Sequence, residues 1–115
     1  MRGTYLWFAQ LVTGVLIAVL LGIHMVMQHL NAALGTTDPT AWQSMIDRAS
    51  QGAWVGLYIV LLAFGLYHGI NGLRNIILEV TPSARGGRIV TWMLIVFGVV
   101  VFIWGTYVPI ALSGS

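Results

Sequence analysis

The chain contains no cysteine. That excludes disulfides, thiol chemistry and iron–sulfur ligation by this polypeptide, and it leaves the compartment open. Charge is nearly missing as well: Lys plus Arg number 5 and Asp plus Glu 3, so charged residues make up 7% of 115. Soluble domains carry roughly a quarter charged residues, so this surface cannot face water on all sides. A formal net charge of +2 from so few groups also excludes a nucleic-acid surface, which needs a dense basic patch. No carboxylate falls in the middle of an apolar run: Asp38 and Asp47 lie between the first two runs, and Glu79 follows the second. A transporter coupled to protons or ions commonly needs an intramembrane carboxylate, and this chain offers none. There is no internal repeat.

What the chain does have is apolar length. It is 58% hydrophobic, with a mean hydropathy of +0.90. Three runs stand out, at about residues 5–30, 53–78 and 89–112. At ~1.5 Å of rise per residue, each exceeds the ~20 residues that cross a ~30 Å hydrocarbon core. Backbone polar groups in lipid must be satisfied internally, so helices are the form such runs take. The expected fold is an all-α membrane protein with three transmembrane helices in one membrane-anchor domain over residues 1–115. Arg2 before an apolar stretch has the look of a signal peptide. The stretch is too long for a ~7–15-residue signal core and no clean small-x-small site follows it, so a retained helix is expected.

The first connection, residues 31–52, is polar. Thr37-Asp38 ahead of Pro39 resembles a helix start, with a side-chain oxygen cap and proline in the first turn. Trp42, Met45 and Ile46 recur at helical spacing, predicting a short amphipathic helix at about 38–48 that lies at the interface. The second connection, residues 79–88, holds Pro82 and Gly86-Gly87 and is expected to be a tight loop. Arg2, Arg74, Arg85 and Arg88 fall on one side, and Asp38, Asp47 and Arg48 on the other. Positive residues stay cytoplasmic, so the N-terminus and second loop are expected in the cytoplasm and the C-terminus outside. Trp7, Trp54 and Tyr107 sit near helix ends, where an aromatic belt belongs.

All three histidines, His24, His29 and His68, lie in or at the end of an apolar helix. Ionisable groups inside a membrane are costly and face a partner, a cavity or a cofactor, and a neutral imidazole is a strong ligand for haem iron. His29 falls at a helix end, where a headgroup-zone histidine is the simpler reading. His24 and His68 lie deeper. Gly65 and Gly72 share a helix face with His68, and Gly69 adjoins it; small residues there admit a neighbouring helix or leave room for a flat macrocycle. Arg74 follows toward the cytoplasmic end. It is either a positive-inside anchor or a guanidinium for a propionate carboxylate. Counted from the cytoplasmic ends, His24 is ~28 Å up the first helix and His68 ~15 Å up the second. Axial nitrogens on one iron must lie only about 4 Å apart, at ~2 Å per bond. The ~13 Å offset forbids that pairing: if both histidines bind haem, they bind two different haems, and each iron then needs its second ligand from another chain.

The stretch Tyr67-His68-Gly69-Ile70-Asn71-Gly72-Leu73-Arg74, followed by Glu79, resembles a motif of the haem b membrane-anchor subunits of succinate dehydrogenase and fumarate reductase. In that motif a histidine, three residues, a glycine, an aliphatic residue and an arginine precede an acidic residue. Val12-Thr13-Gly14 stands where these anchors have an aliphatic-serine-glycine segment, and His24 and His29 repeat a histidine pair near the outer end of the first helix. The resemblance covers most of the chain. It implies a multi-pass anchor in the inner (cytoplasmic) membrane, part of respiratory complex II of the tricarboxylic acid cycle. The implied partners are a second membrane-anchor subunit, an iron–sulfur subunit and a flavoprotein subunit. Two haem b groups shared with the partner anchor are implied as well, with the catalytic chemistry at succinate outside this chain. Carried over, His24 ligates the distal haem (with His29 as its alternative) and His68 the proximal one; the D-type slot fits slightly better than the C-type. The family often has an arginine where this chain has Leu11, and some members a tyrosine where it has Val80. Both are linked with the quinone pocket, which leaves Arg74 and Glu79 as this chain's quinone candidates. Two other readings stay open. One is a haem b subunit of another respiratory dehydrogenase, such as a hydrogenase or formate dehydrogenase; the other is a small non-haem membrane scaffold.

Overall fold

In hydrocarbon a backbone N–H has no water to bond, so an apolar run closes its own i→i−4 ladder for as long as it stays in lipid. The computed structural model describes residues 2–35, 38 and 40–114, with the backbone alone for Arg2 and Asn31. Helix α1 (Arg2–Met25) continues through a π-helical segment, Val26–Leu30, into the three-residue α2 (Asn31–Ala33). Gly35, at φ +68°, ends it in the left-handed conformation that glycine adopts without strain. A short helix α3 (Trp42–Ala49) leads to α4 (Gly52–Glu79) and then α5 (Ala84–Ser113). No strand occurs among the described residues.

Three stretches, Gly3–Leu30, Gly52–Glu79 and Ala84–Ser113, are long and apolar enough to cross a membrane. Their 28, 28 and 30 residues correspond to ~42–45 Å of helix, matching a molecule 54 × 26 × 22 Å in extent. The outside is apolar: Trp104 is 72% exposed and Trp7 62%, as lipid-facing side chains must be. Among the described residues, Ala49 and Thr13 are buried.

Helix α4 is the common neighbour of the other two spans. It packs against α1 on one flank and α5 on the other, and α1 and α5 make no close approach to each other. Glycines set the α4–α5 seam. A Cβ on Gly98 would lie 2.5 Å from Ile70 Cδ1, and one on Gly105 2.5 Å from Leu62 Cδ2. Two turns separate these glycines, so both sit on the face that admits α4, the small-residue packing that membranes favour.

Two connections differ from expectation. The short helix begins at Trp42 rather than near residue 38, because the Asp38 carboxylate is engaged locally. Its Oδ1 accepts from the Thr40 amide at 2.9 Å and from the Thr40 hydroxyl at 2.7 Å, closing a turn instead of capping a helix. The Thr40 hydroxyl, then the Thr40 amide, hold the Asp38 carboxyl below the ordinary aspartate value. Thr37 and Pro39, the other parts of the expected cap, lie outside the described residues. The second loop is shorter than 79–88, because Ser83 caps α5: its side-chain oxygen accepts from the Gly86 amide at 3.0 Å. Gly86 and Gly87 are thereby drawn into the first helical turn despite their poor helix propensity.

Candidate functional site

His68 sits where α4 crosses α1. Its Nδ1 lies 3.1 Å from the Gln10 carbonyl oxygen and 3.5 Å from Thr13 Oγ1. Both atoms can accept, and the Thr13 hydroxyl already donates to Ala9 O at 2.7 Å. The proton therefore belongs on Nδ1, and the lone pair on Nε2. A main-chain acceptor on one ring nitrogen is the usual way a histidine is oriented for metal through the other. The close approach is possible because residue 14 is glycine: a Cβ there would stand 3.1 Å from His68 Cε1. On α4 itself a Cβ at Gly65 or Gly69 would meet nothing within 4 Å, so the surface flanking His68 is open. Gly72 is different, since its Cβ would lie 3.1 Å from Gln10 Nε2. Its smallness serves the α1 contact.

His24 lies at the other end of α1. Its ring meets Tyr58 of α4 edge-on at 5.6 Å, and its Nδ1 is buried with no hydrogen-bond partner among the described residues. A buried ring nitrogen left unbonded costs ~1–3 kcal/mol, a demand that the described residues of this chain leave unmet. Tyr58 is fixed in turn by Gln28, whose Nε2 donates to the phenol oxygen at 2.9 Å. Gln28 and His29 both stand in the π-helical segment, which widens the turn by one residue. His24 and the exposed His29 thereby line one cavity of about 800 Å³, with Tyr58, Arg48 and Pro109 on its other walls.

Two registrations of α1 on α4 measure the separation of the sites. His68 meets α1 at Gly14 and His24 meets α4 at Tyr58. Gly14 to His24 and Tyr58 to His68 are each ten residues, or ~15 Å along the helices. The two imidazoles cannot approach one iron together. Among the described residues no three histidine or carboxylate side chains converge; an iron already held in a porphyrin asks the protein for axial ligands alone.

Arg74 points away from His68. Its Nε donates to Thr91 Oγ1 on α5 at 2.9 Å, and it borders an apolar groove of about 610 Å³ that Tyr67 and Asn71 line and His68 does not. Glu79 ends α4, exposed, and lines neither this groove nor the His24 cavity. The structure thus brings His24 and His29 together and keeps His68 and Arg74 on different flanks of α4. Sequence reasoning missed Gln10, Asn71, Gln28 and Tyr58. The available signal was polar side chains inside apolar runs at three-residue spacing, such as Gln10 with Thr13 and His68 with Asn71.

Three apolar spans with imidazoles held at two depths define a multi-pass membrane protein of the anchor type. The family model for the succinate dehydrogenase/fumarate reductase transmembrane subunit matches residues 2–105, and the chain belongs to this family. It is 29% identical over 107 residues to the succinate dehydrogenase hydrophobic membrane anchor subunit of Thermoplasma acidophilum, across 92% of this chain and 84% of that protein. The subunit of the same name from Archaeoglobus fulgidus is 28% identical over 101 residues, across 88% of this chain and 83% of the relative. No solved structure matches. The chain is therefore a membrane-anchor subunit of this class, which works in a membrane with the other subunits of its complex.

Proposed function

We propose that the chain anchors a succinate–quinone oxidoreductase and holds haem b at two levels, through His68 and His24. Each haem would take its second axial ligand from a second membrane-anchor subunit, and an iron–sulfur and a flavoprotein subunit would sit on the cytoplasmic face. The observation that carries this reading is the His68 ring, whose Nδ1 faces the Gln10 carbonyl at 3.1 Å and leaves Nε2 as the ligating atom. The unbonded, buried Nδ1 of His24 and the open surface at Gly65 and Gly69 fit the same group. Haem b supplies one-electron relay or storage between the iron–sulfur clusters and quinone, its potential tuned by axial ligands and burial. This chain's residues orient imidazole nitrogens, exclude water and keep the two levels ~15 Å apart.

Arginine placement puts the N-terminus and the α4–α5 loop in the cytoplasm and the C-terminus outside, in the cytoplasmic membrane. Arg74 and Glu79 then lie at the cytoplasmic end of α4. The Arg74 groove is apolar along its length with a guanidinium at one end, which suits a quinone ring and tail. The Thr91 bond turns Arg74 from the His68 flank, so its role toward a propionate is the weaker of its two assignments.

The test is the reduced-minus-oxidised optical spectrum of the purified complex. His68→Ala should remove one haem b and leave the other, and His24→Ala should do the converse. Full haem content in either variant overturns that ligand assignment. Loss of the distal haem on His29→Ala with retention on His24→Ala would transfer that role to His29, since both line the same cavity.

A further inference from the structure

The His68 ring touches α1 at a residue whose side chain grips α4 at two further points. Gln10 Nε2 donates to the His68 carbonyl oxygen at 3.0 Å, and Gln10 Oε1 accepts from Asn71 Nδ2 at 2.9 Å. The Gln10 carbonyl meanwhile faces His68 Nδ1. One residue thus engages both the ring and the main chain of His68. A helical carbonyl keeps a second lone pair for such a bond, and Gly72, one turn on, leaves the space through which Gln10 Nε2 reaches it. A carboxamide inside an apolar span is costly unless its donors and acceptor are used, and here donor and acceptor are both spent on α4. The His68 ring holds α1 through a single nitrogen, whereas the Gln10 carboxamide holds α4 through two separate atoms.

Resting on the haem reading, we propose that Gln10 is the positioning residue of the His68 site: it locks the register of α1 on α4, so that its own carbonyl stays in line with His68 Nδ1. The carbonyl cannot be mutated away, but its place is set by the carboxamide. With that bond formed, His68 is held in one tautomer and Nε2 is more basic, so it binds iron more tightly and stabilises the ferric state. Loosening the clasp lets α1 shift, weakens the Nδ1 bond and makes Nε2 a poorer donor. The haem at His68 then moves to higher potential and is released more readily, while the haem at His24, ten residues along, is untouched.

The experiment uses the assembled complex carrying Gln10→Met, which keeps length and apolar volume but removes both side-chain bonds. Spectroelectrochemical titration and the ferric low-spin resonance of each haem are compared with wild type, the His68 haem being the one absent from His68→Ala. Expected are a higher potential and an altered resonance for that haem alone, with its retention against a haem-scavenging protein falling on the order of 10-fold. Gln10→Glu, protonated in the apolar interior and able to donate and accept in the same place, should restore the signature. Asn71→Leu, which releases only the Oε1 bond, should give a smaller shift in the same direction. It also serves as the readout if the methionine variant does not assemble. An unmoved potential and resonance in Gln10→Met or, failing assembly, in Asn71→Leu overturns the positioning role. A wild-type complex without any b-type band overturns the haem reading instead.

Discussion

An imidazole inside an apolar span needs partners for both ring nitrogens, and His68 and His24 meet that demand differently. His68 has one nitrogen settled on main chain and side chain of α1. His24 has a buried nitrogen without a partner, against a Tyr58 ring that Gln28 steadies. The first ring is oriented from within the chain, while the second keeps one nitrogen unmet there. Outside the spans, Asp38 shows the same economy of partners. Its bonds to Thr40 favour the carboxylate, so its folded-state pKa is depressed. By linkage, the turn's stabilisation is complete above the ordinary aspartate value and is lost as pH falls through the lowered folded-state value. In detergent, the Thr40 amide resonance should titrate with a midpoint below that of an unstructured aspartate peptide. A midpoint at or above the peptide's would contradict the turn.

Among the elements, the α4–α5 seam is the one most exposed to small changes. Gly98 and Gly105 each face a terminal carbon of a flexible side chain at 2.5 Å from an added Cβ. Gly98→Leu or Gly105→Leu should overpack this seam, costing about 1–3 kcal/mol and lowering the Tm of the detergent-solubilised chain. Gly22→Leu, with nothing within 4 Å of its Cβ, should leave Tm unchanged; equal losses at all three would remove the seam from the explanation. The helices themselves were legible because apolar length in lipid admits only one backbone solution. Their ends were less so. Gly86-Gly87 reads as a loop until Ser83 is known to cap over it, and Asp38 reads as a cap until Thr40 takes its oxygens. The π-helical segment left no mark in composition, because one shifted hydrogen bond changes register without changing hydrophobicity. The histidines were legible as intramembrane polar groups. Gln10, Asn71 and Tyr58 were not, since their meaning depends on which helix faces which.

For the whole molecule, the missing cysteine becomes an experimental convenience. A single introduced cysteine reports its side of the membrane without background. On the proposed orientation, Pro82→Cys should react with an impermeant thiol reagent only after the cells are opened, and Gly114→Cys in intact cells. The opposite pattern would invert the orientation. The central place of α4 in the packing has a mechanical meaning as well. Because α1 and α5 each pack on α4 and not on each other, the two seams are separate hinges on a single post, one fastened by polar bonds and the other mainly by interlocked aliphatic groups with the Arg74–Thr91 bond. Tilting α1 changes the cradle around His68 and leaves the Leu62 and Ile70 seats as they were, so the setting of that imidazole and the cohesion of the bundle can drift apart in descendants of this sequence.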